Sequence, residues 1–131
     1  AKGNSVEFGD LTVAPAAGAS FSNSVRGFFA AGHTNPNYDS IDPAPVDSIS
    51  LSSGGNAVRF GDLSSKRTST TGTASQTRGF VLGGYYDGSI SNVIEFMTLA
   101  TAGSIQDFGD LVNKLESGGS LSDSHGGLGG Y

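Results

Sequence analysis

Cysteine is absent from the chain, so there is no disulfide framework, no thiolate nucleophile and no thiolate metal site. Charge is scarce. Asp, Glu, Lys and Arg make up 15% of the residues, against about 25% in an ordinary soluble domain. The seven basic residues are scattered and the net charge is -5, which excludes the dense Lys/Arg surface that neutralises a phosphate backbone. Nucleic acid is therefore not an expected partner. No apolar run approaches the ~18 residues of a membrane helix, so membrane insertion is not expected, and no signal peptide is visible. No Gly-x-Ser-x-Gly elbow, phosphate loop or EF-hand calcium loop occurs. The sequence thus offers no catalytic centre and calls for no cofactor and no metal ion. It starts at Ala1, which leaves a processed product and a segment of a longer chain as the two readings.

What fills the space is glycine, with 21 residues, together with serine and threonine. These are neutral or poor helix formers and suit short strands joined by tight turns. Gly/Ser enrichment is also a mark of disorder. Recurrent apolar clusters such as Gly27 to Ala31 and Val93 to Leu99 argue against disorder, least so for the last fifteen residues.

The chain repeats itself. Phe8-Gly9-Asp10-Leu11, Phe60-Gly61-Asp62-Leu63 and Phe108-Gly109-Asp110-Leu111 are one tetrapeptide at spacings of 52 and 48 residues. The block Val25 to His33 matches Thr77 to Tyr85, pairing Arg26 with Arg78, and Ser124 to Tyr131 is a weaker third copy without the arginine. A further block, Val46 to Val58, aligns with Ile94 to Gln106 and pairs Asp47 with Glu95, Ile49 with Met97 and Leu51 with Leu99. The four-residue difference in spacing falls in the proline-containing stretch Asn35 to Pro45, which reads as an inserted loop. The expected organisation is one array over 1–131: a partial repeat 1–23, repeats 24–75 and 76–123, and a partial repeat 124–131.

Each unit of about fifty residues holds four apolar pieces separated by turn residues, the content of one propeller blade. The expected fold is all-β, an array of four-stranded units with nearly three units in the chain. The strand beginning at Arg26 or Arg78 is apolar on both faces and ends in small residues, which suits an inner strand near a crowded axis. The polar piece Arg67 to Ser75 suits an exposed edge strand. A β-solenoid and a fibrous β-rich shaft are the alternatives, and Ser117 to Tyr131 is glycine-rich enough for an adhesin tip. Counted this way the chain has about eleven strands, one short of three blades, whereas closed propellers have 4–8. Either a longer array or sharing of blades between copies would complete it.

The run Gly79 to Leu99, a hydrophobic strand, Gly-Gly-Tyr, a short loop and Asn-Val-Ile-Glu-Phe, resembles the kelch motif. It differs in having no tryptophan, with Phe60 and Phe108 near its place, and in having Ala31-Gly32 where the second repeat has a glycine doublet. The phrases Asn92 to Leu111, Gln76 to Gly84 and Ser122 to Gly130 are similar to kelch-like repeats found in structural proteins of marine bacteriophages. That resemblance covers essentially the whole chain. It implies a β-propeller scaffold, a virion or extracellular location, and virion proteins or further copies of the chain as partners. It also suggests that the chain is the C-terminal part of its array.

Candidate site residues follow from the repeat. Asp10, Asp62 and Asp110 read either as a ring of calcium ligands or as turn residues accepting local backbone N–H bonds, with the Phe and Leu of each copy in the core. The structural reading is favoured because the motif belongs to every unit. Arg26 and Arg78 read as anion or sugar-acid binders, or as bridges to the repeated Asp. Tyr38, Tyr85 and Tyr86 lie in equivalent loops and read as sugar-stacking or protein-contact residues, or as packing between blades. His33 and His125 are far apart without an evident partner. The expected function is a non-catalytic structural or interaction module that attaches to a host-surface glycan or protein, or decorates a capsid or tail. A polysaccharide-acting enzyme would need paired carboxylates, and Asp39, Asp42, Asp47 and Glu95 do not announce a pair. A scaffold that only assembles with itself is the third reading.

Overall fold

The computed structural model describes residues 3–34, 40–103 and 105–122. Among them there is no helix. The strands are β1 (Ala19–Ser22), β2 (Arg26–Ala30), β3 (Pro45–Ser50), β4 (Val58–Asp62), β5 (Thr71–Ala74), β6 (Arg78–Leu82), β7 (Tyr85–Tyr86), β8 (Ser89–Ile90), β9 (Val93–Thr98) and β10 (Gln106–Asp110). They form two four-stranded antiparallel sheets, β1-β2-β3-β4 and β5-β6-β9-β10, with β7-β8 as a small hairpin. Tyr38, Asp39, His125 and the weak third block Ser124 to Tyr131 lie outside the described residues.

Local chemistry sets the turns alike in both sheets. Between β1 and β2 the Asn23 side-chain oxygen accepts the backbone N–H of Val25 and Arg26 at 3.0 and 2.9 Å. Between β5 and β6 the Ser75 hydroxyl does the same for Thr77 and Arg78 at 3.3 and 3.1 Å. Both are side-chain mimics of a backbone turn. The connection after β2 is residues 31–44 and the one after β6 is residues 83–92, so the inserted loop lies where the spacing placed it. Each connection starts with two left-handed residues, Ala31 and Gly32 at φ 63° and 113°, Gly83 and Gly84 at φ 58° and 107°. Alanine thus adopts the glycine conformation, which costs roughly 1–2 kcal/mol.

Phe60 has no partner on β3 and Phe108 none on β9, because the register shifts there. The phenylalanine of the repeated tetrapeptide is therefore the extra residue of a β-bulge, which twists the strand and re-aims its side chain. At Phe60 that side chain meets Phe28 edge-on at 5.1 Å, and Phe28 stacks on Phe21 at 5.4 Å. These three rings with Ala30 and Val46 form one face of the first sheet, and all are buried. They pack against the face of the second sheet that carries Gly79, Val81, Met97 and Leu99. A methyl group at Gly72 would lie 2.8 Å from the Phe21 ring, and one at Gly79 would collide with it. The glycines are there to admit the ring.

The sheets meet through their first strands, β1 against β5, and the contacts recur. Ser69 N–H donates to Ala17 at 2.7 Å and Ser117 N–H to Ser69 at 2.8 Å. These three residues share an unusual left-handed φ of 55°, 54° and 50°. Gly32 N–H donates to Arg67 and Gly84 N–H to Leu115, and Gly55 N–H donates to Phe8 and Gly103 N–H to Phe60. Beyond β5, Thr71 and Thr73 hydroxyls donate to the carbonyls of Gly118 and Leu121 at 2.9 Å each. A further extended segment thus lies against β5 as β5 lies against β1.

Three expectations are corrected. The strand at Arg26 or Arg78 is second in its sheet, and the two sheets meet instead through the edge strands β1 and β5. The polar piece Arg67 to Ser75 supplies β5, a sheet edge but a buried one: Arg67, Thr68, Thr70, Thr71 and Ala74 are all buried. The Thr71 and Thr73 hydroxyls bond the neighbouring segment. Finally, only the middle tetrapeptide sits in the core. Phe60 and Leu63 are buried, whereas Phe8 and Phe108 are exposed and Leu11 and Leu111 are half-buried.

Candidate functional site

The segments that cross from an outer strand to the next inner strand carry the polar chemistry. After Leu11, Thr12 donates its backbone N–H to Asp47 at 2.8 Å and its hydroxyl to both carboxylate oxygens at 2.7 Å. After Leu63, Ser64 donates its backbone N–H to Glu95 at 3.0 Å. Asp47 on β3 and Glu95 on β9 are equivalent in the sequence, and both are buried. Glu95 also pairs with the buried guanidinium of Arg67. Arg67 in turn donates to the Gly83 carbonyl at 2.9 Å. Burial pulls the Arg67 pKa down and the Glu95 carboxylate pulls it back up, burial being the larger effect. Arg67 Nε and Thr70 Oγ1 are buried without a partner among the described residues.

The two acids stand in different sheets, and each accepts structural donors, Asp47 from Thr12 and Glu95 from Ser64 and Arg67. Asp42 instead lies on an exposed loop. Among the described residues no three His, Cys, Asp or Glu side chains cluster as a metal site.

The exposed loops hold a second arrangement. Lys66 Nζ lies 5.0 Å above the Tyr86 ring centre and 3.5 Å from the Asp42 carboxylate. Its ammonium is held above the usual lysine pKa, chiefly by Tyr86 and less strongly by Asp42, with desolvation opposing them. Tyr86 is exposed, and Tyr85 is half-buried and exchanges backbone bonds with Thr68. Beside them His33 is buried, with Nδ1 2.8 Å from the Thr68 hydroxyl. Three connections thus bring an aromatic face, a cation and a carboxylate to one surface.

The sequence candidates are dispersed over this frame. Arg26 donates to the Leu99 carbonyl at 3.3 Å and lines a cleft of about 470 Å³ between the first sheet and Ala100–Ala102. Arg78, its equivalent, stands 5.3 Å over the Phe96 ring on the outer face of the second sheet. Neither bridges a repeated Asp. Asp62 pairs with Arg59 instead, an exposed pair, and among the described residues no carboxylate of the tetrapeptides accepts a turn N–H; the neighbouring Asp107 does, from Gly109 at 2.9 Å. Sequence reasoning missed Thr12, Ser64 and Arg67. The pairing of Asp47 with Glu95 in the alignment was the signal for the first two, whereas Arg67 has Pro15 at its equivalent position and carries no repeat signal. No protein-family model matches the chain, and no curated protein matches it.

Proposed function

We propose that the chain is a non-catalytic structural and interaction module, built of propeller-type blades and displayed on a virion surface, where its loops contact a host glycan or protein. The observation that carries this reading is the fate of its buried acids. Asp47 and Glu95 are each consumed by hydrogen bonds that tie one sheet to the crossover before it. A glycosidase needs a free pair about 5–9.5 Å apart. Four-stranded antiparallel meanders that meet at their first strands support the blade geometry. The similarity to bacteriophage repeats supplies the setting. The surface assigned to recognition is Asp42, Lys66 and Tyr86, where a ring face with a charged rim suits stacking on a sugar.

The test is retention of the chain on capsular and lipopolysaccharide glycans, with reducing ends assayed in the same tubes. Retention is expected without release of reducing ends, and Tyr86→Ala lowers it several-fold. Release of reducing ends refutes the non-catalytic reading. Self-assembly is the companion reading, favoured by an exposed aromatic face on the second sheet.

A further inference from the structure

The face of the first sheet that carries Phe21, Phe28 and Phe60 lies against the second sheet, yet among the described residues no sheet covers the equivalent face of the second, where Phe80 and Phe96 are half-buried and Phe108 is exposed. Phe80, Phe96 and Phe108 form its aromatic cluster, with ring centres 5.2 to 6.2 Å apart. Phe60 is 5% exposed and its counterpart Phe108 is 56% exposed. Arg26 reaches the Leu99 carbonyl beyond the end of β9, whereas the Arg78 guanidinium lies over the Phe96 ring of its own sheet. Gly61 lies 2.5 Å (at its would-be methyl) from the Gly103 carbonyl, whereas Gly109 has nothing near it among the described residues.

The opposite end of the molecule shows the complementary half. Gly79, Met97 and Leu99 are the surface into which Phe21 and Phe28 pack, and their counterparts on the first sheet are Gly27, Ile49 and Leu51. Leu99 is 1% exposed and Leu51 is 45% exposed. Val6, Phe8 and Val25 are exposed around it. The exposed apolar side chains Phe108, Val112, Leu115 and Leu121 accompany the other end. Each end is thus one half of a contact that the chain already makes once internally.

We propose that the Phe80–Phe96–Phe108 face docks on the Gly27–Ile49–Leu51 face of a second copy of this chain, head to tail. The inference rests on the blade reading above and names its partner. Such a contact is heterologous, and repetition of it closes a ring when the rotation per copy allows. Closed propellers have 4–8 blades, so two or three copies suffice. A face of four five-residue strands measures about 17 by 19 Å, roughly 320 Å² per partner and well under the ~800 Å² per partner of a standard-size interface. One contact is therefore weak, and ring closure, in which every copy uses both faces, holds the assembly together.

The absolute mass of the full chain by light scattering at about 50 µM, above the micromolar Kd of a small interface, is the first readout. A whole multiple of the chain mass is expected. Phe108→Glu and Leu51→Glu each give a monomer with unchanged strand-type circular dichroism, and mixing the two variants restores a dimer, because each keeps the half the other lost. Because the chain has no cysteine, Phe108→Cys and Leu51→Cys variants add a second readout. Mixed with oxidised glutathione, which takes the two electrons by thiol–disulfide exchange, they form a disulfide-linked pair faster than either does alone. A monomeric wild type, a Phe108→Glu variant of undiminished mass, or faster cross-linking of Phe108→Cys with itself overturns the proposal. Monomers that still bind glycan would remove this inference and leave the attachment reading standing; an oligomer that binds none would do the reverse.

Discussion

Replacing Arg67 by methionine removes one partner of an ion pair in which the side chains are 2% and 1% exposed. The Glu95 carboxylate is then left in the interior with the Ser64 N–H as its remaining described donor, and the Gly83 carbonyl loses its Arg67 bond. Breaking a buried pair in this way costs about 3–5 kcal/mol, a large share of the roughly 5–15 kcal/mol that holds a domain together. Glu95→Leu alone strands the guanidinium and costs a comparable amount. The double variant Arg67→Met/Glu95→Leu removes both charges together, and such replacements by apolar residues are often neutral. It is expected within about 2 kcal/mol of the wild type, so the cycle yields a coupling of about 3 kcal/mol or more. Urea titration followed by far-UV circular dichroism measures this, since the chain has no tryptophan to report. Protein concentration is held fixed because assembly adds to apparent stability. With a slope near 2 kcal/mol/M, the single variants lose about 2 M in midpoint. A loss below about 1 kcal/mol for Arg67→Met, or a double variant costing the sum of the singles, would show that the pair is solvated or absent and refute the reasoning.

Three further outcomes test the frame by the same urea titration. Gly79→Ala places a methyl group against the Phe21 ring and 3.0 Å from Leu99, costing about 1–3 kcal/mol by overpacking. Its counterpart Gly27→Ala meets the movable Ile49 and Leu51 side chains at 3.2 and 3.5 Å and costs under about 1 kcal/mol; equal losses at the two positions would contradict the one-sided packing. Thr12→Ala takes two hydroxyl contacts from the buried Asp47 carboxylate and costs about 1.5–3 kcal/mol, the range for bonds to a charged group; a neutral result would place water at that carboxylate. Asp62→Ala breaks an exposed pair with Arg59 and costs about 1 kcal/mol or less, even though the aspartate recurs in every tetrapeptide; a loss above about 2 kcal/mol would mean that the carboxylate has a further partner.

The parts of the fold that repeat in type were legible in the sequence. Three copies of one tetrapeptide located the outer strands at Phe60 and Phe108, and the proline-containing stretch located the longer connection. What misled was polarity. Arg67, Thr68, Thr70 and Thr71 read as a solvent-facing strand, but threonine hydroxyls satisfied by the carbonyls of an adjacent segment, as at Thr71 and Gly118, can be buried at no net loss of hydrogen bonds. The same applies to Asp47 and Glu95, whose burial depends on donors 35 and 31 residues away. The mixed exposure of Phe8, Phe60 and Phe108 was equally invisible, because it depends on which sheet faces which and not on the motif. Tyr86 stood out in the sequence, but its meeting with Asp42 and Lys66 did not, because the three lie on separate connections that only the fold brings together.

The row of left-handed residues Ala17, Ser69 and Ser117 has a bearing on heredity as well as on stability. Each link in the row is the same backbone bond in the same conformation, so the geometry does not register which unit follows which. On the blade reading proposed above, a deletion or duplication that starts at any residue and ends at its counterpart in the next unit would remove or add one sheet and rejoin the backbone links of this row. One of any other length leaves an outer strand without its crossover or an inner strand without its neighbour. Genes for such a chain would be free to vary in length by recombination, but only in steps of about fifty codons.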